Sequence, residues 1–288
     1  MWSMTFDLKP ASDFPLPDLV ELMNRGFEGY LVPIQFDLSQ FHAMLRKDGV
    51  DLAASRVLLA EGQPCGIALI ARRGWVSRLA AMGIAKGSRG RGAGSWFMER
   101  LVHEARARGD REMTLEVIER NETAVRLYRR FGFRAVRRLI SLIRRDARES
   151  ARDDLQEIDL REMGRMIVQH GLRDLPWQLS GETIALMNPP ARAYKRGPAY
   201  AVISDPAAES AVVWSLLVEP QARGNGLGAE MLRNVIANHA DRTWRVPAIM
   251  PEEFGRVFER AGFEREDLSQ WQMRLVLARG AGGSSPAH

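Results

Sequence analysis

The chain has 288 residues, of which 45% are hydrophobic and 27% charged, an ordinary composition for a globular protein and a length typical of about two domains. Its formal net charge of +5 comes from cations interleaved with acids, which favours solvated faces and a local site for an anionic ligand over nucleic-acid binding. No apolar run approaches the roughly 20 residues that span a membrane, and the single Cys65 fits a reducing cytoplasm, where we expect the protein.

Helices and strands are predicted to alternate along the first half of the chain. The first helix places Leu19, Leu22 and Met23 on one face, and the two strands after it flank a hairpin turn at residues 61–64. In chain order, the predicted elements are a helix at 16–25, strands at 56–60, 65–71 and 79–84, a helix after residue 94, a strand at 113–118 and a helix at 122–130 that Gly132 ends.

The second half is predicted to repeat this order. The elements are a helix near 160–170, strands around 199–203 and 211–218, a helix at 229–239 and a short helix before Gly262. The polar segment 144–154 is the predicted junction, and the Gly- and Ser-containing end of the chain is predicted to be disordered. We therefore expect domains at 1–147 and 148–279, followed by a tail at 280–288.

Two sequence motifs recur in the same order, which indicates a duplicated domain. Residues 89–94, Arg-Gly-Arg-Gly-Ala-Gly, recur as Arg-Gly-Asn-Gly-Leu-Gly at 223–228, an offset of 134 positions. Residues 128–133, Tyr-Arg-Arg-Phe-Gly-Phe, recur as Phe-Glu-Arg-Ala-Gly-Phe at 258–263, an offset of 130 positions. Ordered recurrence at nearly one offset is the signature of an internal repeat.

The first glycine-rich segment is placed to bind a diphosphate. A turn between a strand and a helix exposes backbone N–H groups at the positive end of the helix dipole. At Gly92 and Gly94 no β-carbon prevents an anion from approaching the backbone. The segment lacks the Gly-Lys-Ser/Thr end of a P-loop and follows at least three predicted strands, which disfavours a P-loop or a dinucleotide fold.

Both motifs of the first half resemble the signatures of one superfamily. Arg89–Gly94 resembles the Arg/Gln-x-x-Gly-x-Gly/Ala signature of the GNAT acetyltransferases. Asn121–Phe133 resembles the second GNAT signature, Asn-x-x-Ala-x-x-Leu-Tyr-x-x-x-Gly-Phe. The two cover about residues 79–140, and a looser likeness extends over 199–275.

The resemblance implies an α/β (α+β) fold of two tandem GNAT domains, each with a mixed central sheet and helices on both faces. It also implies acetyl-CoA as co-substrate and transfer of the acetyl group to a primary amine of a small molecule or peptide. No metal is expected, because the five histidines and the one cysteine show no metal-ligand spacing. The thioester would lie where the strands around 79–84 and 113–118 splay apart, with a backbone N–H near Met82–Ile84 on its carbonyl. Gly83 fits either a bulge or close packing there.

Roles for individual residues follow from the same resemblance. Tyr128 would protonate the departing thiolate, although a packed aromatic is the alternative, and Asn121 would contact CoA, cap a helix, or do both. The cofactor-binding residues implied are Met82, Gly83, Ile84, Arg89, Gly90, Arg91, Gly92, Ala93, Gly94, Asn121 and Tyr128, with Arg223, Gly224, Gly226 and Gly228 in the second copy.

The general base has two candidates. Glu116 lies within the strand beside the expected cleft, and Glu28 falls after the first helix, where the superfamily builds its acceptor site. Either carboxylate could act through water, and either could instead serve charge pairing. The aromatic residues Phe27, Tyr30 and Phe36 could line the acceptor pocket or pack in the core.

The second copy lacks the residues that the resemblance assigns to chemistry. Phe258 stands where Tyr128 stood and has no proton to donate, and Pro251 stands where Asn121 stood. We therefore predict that the first domain catalyses and the second does not. Two alternatives stay open: an acyl-CoA-binding protein without turnover, and transfer by the C-terminal domain. No nucleic-acid or membrane partner is expected, and the oligomeric state is left open.

Overall fold

A computed structural model describes residues 5–145, 155–239 and 242–277. In the first half, the strands are β1 (Phe6–Pro10), β2 (Arg56–Ala60), β3 (Gln63–Arg73), β4 (Val76–Ile84), β5 (Glu112–Ile118) and β6 (Arg134–Arg144). The helices of this half are α1 (Leu16–Gly26), α2 (Leu38–Asp48), α3 (Ala93–Ala107) and α4 (Glu122–Arg130).

The second half repeats the same order of ten elements. Its strands are β7 (Gln156–Ile158), β8 (Arg192–Arg196), β9 (Ala199–Ile203), β10 (Ser210–Val218), β11 (Thr243–Pro251) and β12 (Glu264–Val276). Its helices are α5 (Leu160–His170), α6 (Gly181–Ala185), α7 (Leu227–Asn238) and α8 (Gly255–Arg260). The predicted helices and strands are present in both halves. The sequence patterns did not indicate β1, α2, β6, β7, α6, β8, β11 or β12.

The chain forms two compact units that are not consecutive segments. Of the described residues, those through Val136 and those from Gln272 onward form one unit, and those from Arg137 to Trp271 form the other. The predicted boundary at 147/148 and the predicted tail at 280–288 lie outside the described residues, and of the predicted junction only residues 144 and 145 are described. In the described part of the chain, no helix is long and apolar enough to cross a membrane.

Each unit takes its last strand from the opposite half of the sequence. In the second unit, β6 pairs antiparallel with β11, with Arg144 opposite Trp244. In the first unit, the end of β12 lies beside β5, where Leu277 N–H donates to the carbonyl of Arg111 at 2.9 Å. Strand β12 therefore extends the sheet of the first unit beside β5, as β6 extends the sheet of the second unit beside β11.

The sheet of the first unit is mixed. Its order is β1, β2, β3, β4, β5 and the end of β12, and the pair β4–β5 is parallel while β1–β2, β2–β3 and β3–β4 are antiparallel. Helices α1 and α2 cover one face, because Leu19 and Phe41 pack with Ile67 of β3 in one buried cluster. Residues Ala68 and Ile70, which alternate with this set, are also buried, so the other face is covered too.

The second unit has helices on both faces of its mixed sheet. Its strand order is β12, β6, β11, β10, β9, β8 and β7, and β10–β11 is the parallel pair. Ala201 of β9 packs with Leu232 of α7, whereas its neighbour Val202 packs with Met163 of α5. Because successive residues of a strand face opposite sides, α7 and α5 lie on opposite faces.

Candidate active site

The parallel strands of the first unit separate at one end. β4 and β5 pair only from Val76 to Leu79, opposite Glu112 to Leu115. At that point β4 also shifts register against β3, because Ala80 is an extra residue between the paired Leu79 and Ala81. Such a bulge bends the strand. Residues 80–84 and 116–118 therefore border an opening at the carboxyl ends of two parallel strands.

Gly83 does not form this bulge, and its role is close packing. A Cβ on Gly83 would lie 3.0 Å from the Cα of Gly26, and a Cβ on Gly26 would lie 3.0 Å from the Cα of Gly83. The end of α1 thus rests directly on the backbone of β4. Of the two expectations for Gly83, the packing glycine is the one that the geometry favours.

Backbone donors at the end of β4 face the opening. Ala85 N–H donates to the carbonyl of Cys65 at 2.7 Å, toward β3. Alternate residues of a strand direct their backbone groups to the same neighbour, so Met82 and Ile84 direct theirs the other way. The Ile84 carbonyl confirms this direction, since it accepts a hydrogen bond from Arg89 Nε at 2.7 Å.

The glycine-rich loop leads from β4 into the N-terminus of α3. Gly90 and Gly92 have positive φ angles of 75° and 81°, and Gly92 is the N-cap residue of α3. Among the described residues, no side chain caps this helix. A Cβ on Gly90 or Gly92 would meet nothing within 4 Å, so the exposed backbone can be approached from outside. The first-turn N–H groups are available to an anion.

Arg89 fastens this loop to the neighbouring elements. Besides Ile84, its guanidinium donates to the carbonyls of Gly26 and Glu28, both at 3.0 Å. In the second unit, Arg223 makes the equivalent bonds to the carbonyls of Val218 and His170. Both arginine side chains therefore hold their loops in place by hydrogen bonds to backbone carbonyls of the protein.

Tyr128, Asn121 and Tyr30 lie close to one another in the first unit. The Asn121 side chain accepts a hydrogen bond from Ala124 N–H at 3.1 Å and so caps α4, and it lies close to the Tyr30 hydroxyl. Tyr128 is buried in α4, with Phe133 packed edge-on against it at 5.9 Å. Burial, with a smaller effect of nearby Tyr30, raises the pKa of the Tyr128 phenol above its ordinary value.

Glu116 belongs to a buried ion-pair network. Its carboxylate lies 2.8 Å from the guanidinium of Arg78, which also lies 3.2 Å from Asp48 of α2, and the three side chains are only 4%, 6% and 9% exposed. Burial lowers the pKa of Arg78, but Glu116 and Asp48 outweigh it and the net shift is upward. This arrangement favours charge pairing for Glu116. Arg78 and Asp48 were not singled out in the sequence, although an arginine within an apolar strand was a usable signal.

Glu28 lies at the mouth of the same cleft. Its side chain is exposed, and its backbone is tied to the glycine-rich loop through Arg89. Of the aromatic residues nearby, Phe27 and Phe36 pack against the core formed with α1 and α2, as the core alternative anticipated. Tyr30 differs from them because its hydroxyl meets the side chain of Asn121.

We expect Glu116→Gln to destabilise the protein rather than to impair chemistry alone. Removing one charge of a buried ion pair leaves Arg78 undercompensated, which costs about 3 kcal/mol in the free energy of unfolding. Urea unfolding measures this cost. The matched control is Glu112→Gln on the same strand, whose ion pair with Arg274 is more exposed. Unchanged stability together with a large loss of turnover would instead establish Glu116 as the base.

The second unit repeats the scaffold without the polar groups. Gly224 and Gly226 have φ angles of 86° and 78°, and Gly226 is the N-cap residue of α7. The buried Phe258 packs edge-on against Phe263 at 5.7 Å, which reproduces the Tyr128–Phe133 packing without a hydroxyl. Pro251 ends β11 at the position that corresponds to Asn121.

The fold is that of tandem N-acetyltransferases. A GCN5-related N-acetyltransferase from Sphaerobacter thermophilus superimposes with a TM-score of 0.65 at 15% identity, over 94% of this chain and 96% of that one. A tandem GNAT protein from the clavulanic acid biosynthesis pathway superimposes with a TM-score of 0.63 at 16% identity, over 98% and 100% of the two chains.

One family model matches part of the chain. Residues 16–133 match the model of the acetyltransferase (GNAT) family. Streptothricin acetyltransferase of Streptomyces lavendulae is 37% identical over 76 residues, which are 26% of this chain and 40% of that protein. The match therefore spans less than half of the relative's length.

Proposed function

We propose that the protein is an acetyl-CoA-dependent N-acetyltransferase whose first copy carries out the transfer. The observation that carries the proposal is that the first unit combines three features: splayed strands β4 and β5, the uncapped start of α3 at Gly92, and the buried phenol of Tyr128. The family match at 16–133 covers this copy. The diphosphate of CoA would bind the N–H groups of the α3 start, where Gly90 and Gly92 leave room for it.

The reaction is direct attack in a ternary complex. The neutral amine attacks the thioester carbonyl, whose oxygen is stabilised by backbone N–H groups at Met82 and Ile84. The C–S bond breaks, and the thiolate of CoA takes a hydrogen bond and then a proton from the Tyr128 hydroxyl. Because burial raises the pKa of Tyr128, the phenol stays protonated at neutral pH and can donate.

The amine must also lose a proton, and Glu28 is the better candidate to receive it. The carboxylate of Glu116 is held by Arg78, whereas that of Glu28 is exposed beside the cleft. An exposed carboxylate can take the proton through a water molecule. Asn121 and Tyr30 then form the wall that orients the amine and the pantetheine arm.

The second copy would serve as a binding and structural partner in this scheme. Phe258 and Pro251 lack the proton and the amide that Tyr128 and Asn121 supply. The competing function, CoA binding without turnover, has support only in this second copy. The acceptor of the relative, streptothricin, belongs in a test panel because that relative is named for acetylating it.

The test is an acceptor screen with acetyl-CoA that follows release of free thiol. The panel contains small primary amines, peptides with a free amino terminus, and streptothricin. Each acceptor is tested with the wild-type protein and with Tyr128→Phe. Amine-dependent thiol release that falls in the variant supports the proposal. If calorimetry shows CoA binding but no acceptor causes release of free thiol, the proposal fails and the non-catalytic alternative remains.

A further inference from the structure

A cavity of about 300 Å³ lies inside the cleft of the second copy. It extends from the glycine-rich loop at Gly224 and Gly226 to the ends of the splayed strands β10 and β11, and reaches Phe258. Strands β10 and β11 pair only over Ser210–Val212 and Thr243–Arg245, so the space beyond belongs to their separation. The cavity therefore occupies in this unit the place that the transfer site occupies in the first.

The reactive positions of the first copy are apolar in the second, and their replacements line this cavity. Phe258 and Pro251 replace Tyr128 and Asn121. The third replacement is found by comparing the residues that Arg89 and Arg223 bind. Gly26 and His170 are the last residues of α1 and α5, and their carbonyls accept hydrogen bonds from Arg89 and Arg223, which makes these two residues equivalent.

The residues two positions further on are then Glu28 and Leu172. Leu172 also lines the cavity, together with Leu175 and Leu179 from the segment after α5. An exposed carboxylate in the first copy is thus replaced by a leucine in the second. The part of the cleft that we propose faces the amine in the first copy is therefore lined by hydrocarbon in the second.

Few charged or polar groups line the cavity. The start of α7 offers N–H groups at the loop, and Arg260 lines the same space with an exposed guanidinium. Ser215 is the remaining polar side chain among the lining residues, apart from Arg223, whose guanidinium is engaged within the protein. A ligand that matches both ends carries anionic groups at the loop and a hydrocarbon chain toward the leucines.

We propose that the cleft of the second copy binds a medium-chain acyl-CoA and retains it without transferring the acyl group. The inference rests on the proposed function only in that the second glycine-rich loop receives the CoA diphosphate. The acyl chain lies against Leu172, Leu175 and Leu179, where acetyl is too short to reach. Transfer does not follow because no hydroxyl or carboxylate lines the cavity at the positions of Tyr128 and Glu28.

The experiment measures binding by calorimetry to the full chain carrying Gly92→Val, so that the first loop is blocked. We expect one site that binds octanoyl-CoA about tenfold or more tighter than acetyl-CoA, since each buried methylene contributes about fourfold. In that background Leu172→Glu weakens octanoyl-CoA binding about tenfold and changes acetyl-CoA binding less than threefold. Leu172 is 39% exposed, so the substitution is tolerable to folding.

The control is Leu186→Glu, at a leucine of the same unit that is 45% exposed and lies outside the cavity, which leaves both affinities unchanged. Any one of three results overturns the inference. They are equal affinity for the two thioesters, loss of all binding in a folded protein that carries Gly92→Val alone, and an octanoyl-CoA preference that survives Leu172→Glu. Melting curves establish folding, and the wild-type protein, with two octanoyl-CoA sites expected, provides a second count.

The two proposals fail separately. If the wild-type protein transfers acetyl to no amine but shows the octanoyl preference, the proposed function fails and this inference stands. If acetyl transfer occurs and no octanoyl preference exists, the reverse holds.

Discussion

Gly92→Val lowers the catalytic efficiency of acetyl transfer by at least about a hundredfold and removes one acetyl-CoA site. The residue is the N-cap of α3 with φ at 81°, a conformation that a β-branched side chain rarely adopts. A valine there also stands over the N–H groups that would bind the diphosphate. The measurements are kcat/KM from thiol release and the number of acetyl-CoA sites from calorimetry.

Two matched variants separate this effect from backbone strain. Gly226→Val imposes the same strain at the corresponding N-cap of α7, and Gly74→Val imposes it in the turn between β3 and β4. We expect turnover to fall less than tenfold in both. If Gly226→Val stops transfer while Gly92→Val leaves it intact, catalysis belongs to the second copy and the assignment of the active half is wrong.

Tyr128→Phe lowers kcat by roughly a hundredfold, the usual contribution of a general acid, with little change in acetyl-CoA affinity. The second copy shows that phenylalanine fits this place, since Phe258 packs on Phe263 as Tyr128 packs on Phe133. The loss therefore reports the hydroxyl and not the fold. Wild-type turnover in the variant, with the chemical step rate-limiting, would eliminate Tyr128 as the acid.

The pH dependence supplies an independent check on Tyr128. Its pKa is raised above the ordinary phenol value, so the donor form is complete at neutral pH and is lost only as the pH rises above about 10. The ratio of wild-type to Tyr128→Phe turnover should stay constant from about pH 6 to about pH 9. A ratio that declines within this range would show a group of lower pKa at work.

Much of the fold prediction rested on patterns among residues that are close in sequence. The helix of Leu19, Leu22 and Met23 and the glycine-rich start of α3 depend on neighbours in sequence, and both were predicted. The mixed sheet and the tandem GNAT fold were confirmed. Elements whose apolar residues do not follow a simple period were missed. Strand β6 begins with five exposed or half-buried residues, so its first half gives no alternating signal.

The candidate site divides in the same way. The placement of Gly90, Gly92 and Tyr128 was expected from motifs, and their contacts with a co-substrate stay predictions. The ion-pair network of Glu116 with Arg78 and Asp48 joins residues on β5, β4 and α2, and the spacing of these residues in the sequence does not predict it. The engagement of Arg89 with three backbone carbonyls was equally hidden, because two of its partners, Gly26 and Glu28, lie 63 and 61 positions away in the sequence.

The sequence by itself determined that two motifs recur in the same order, that they resemble the GNAT signatures, and that only the first copy keeps a tyrosine and an asparagine at the signature positions. These are statements about residue identity and short-range order. Only the tertiary structure decided that β6 and β12 are exchanged between the two units, that Glu116 is charge-paired, and that Leu172 corresponds to Glu28. Strand pairing and burial join residues more than a hundred positions apart, and the free energy that selects such pairings depends on the whole folded sheet rather than on any segment of it.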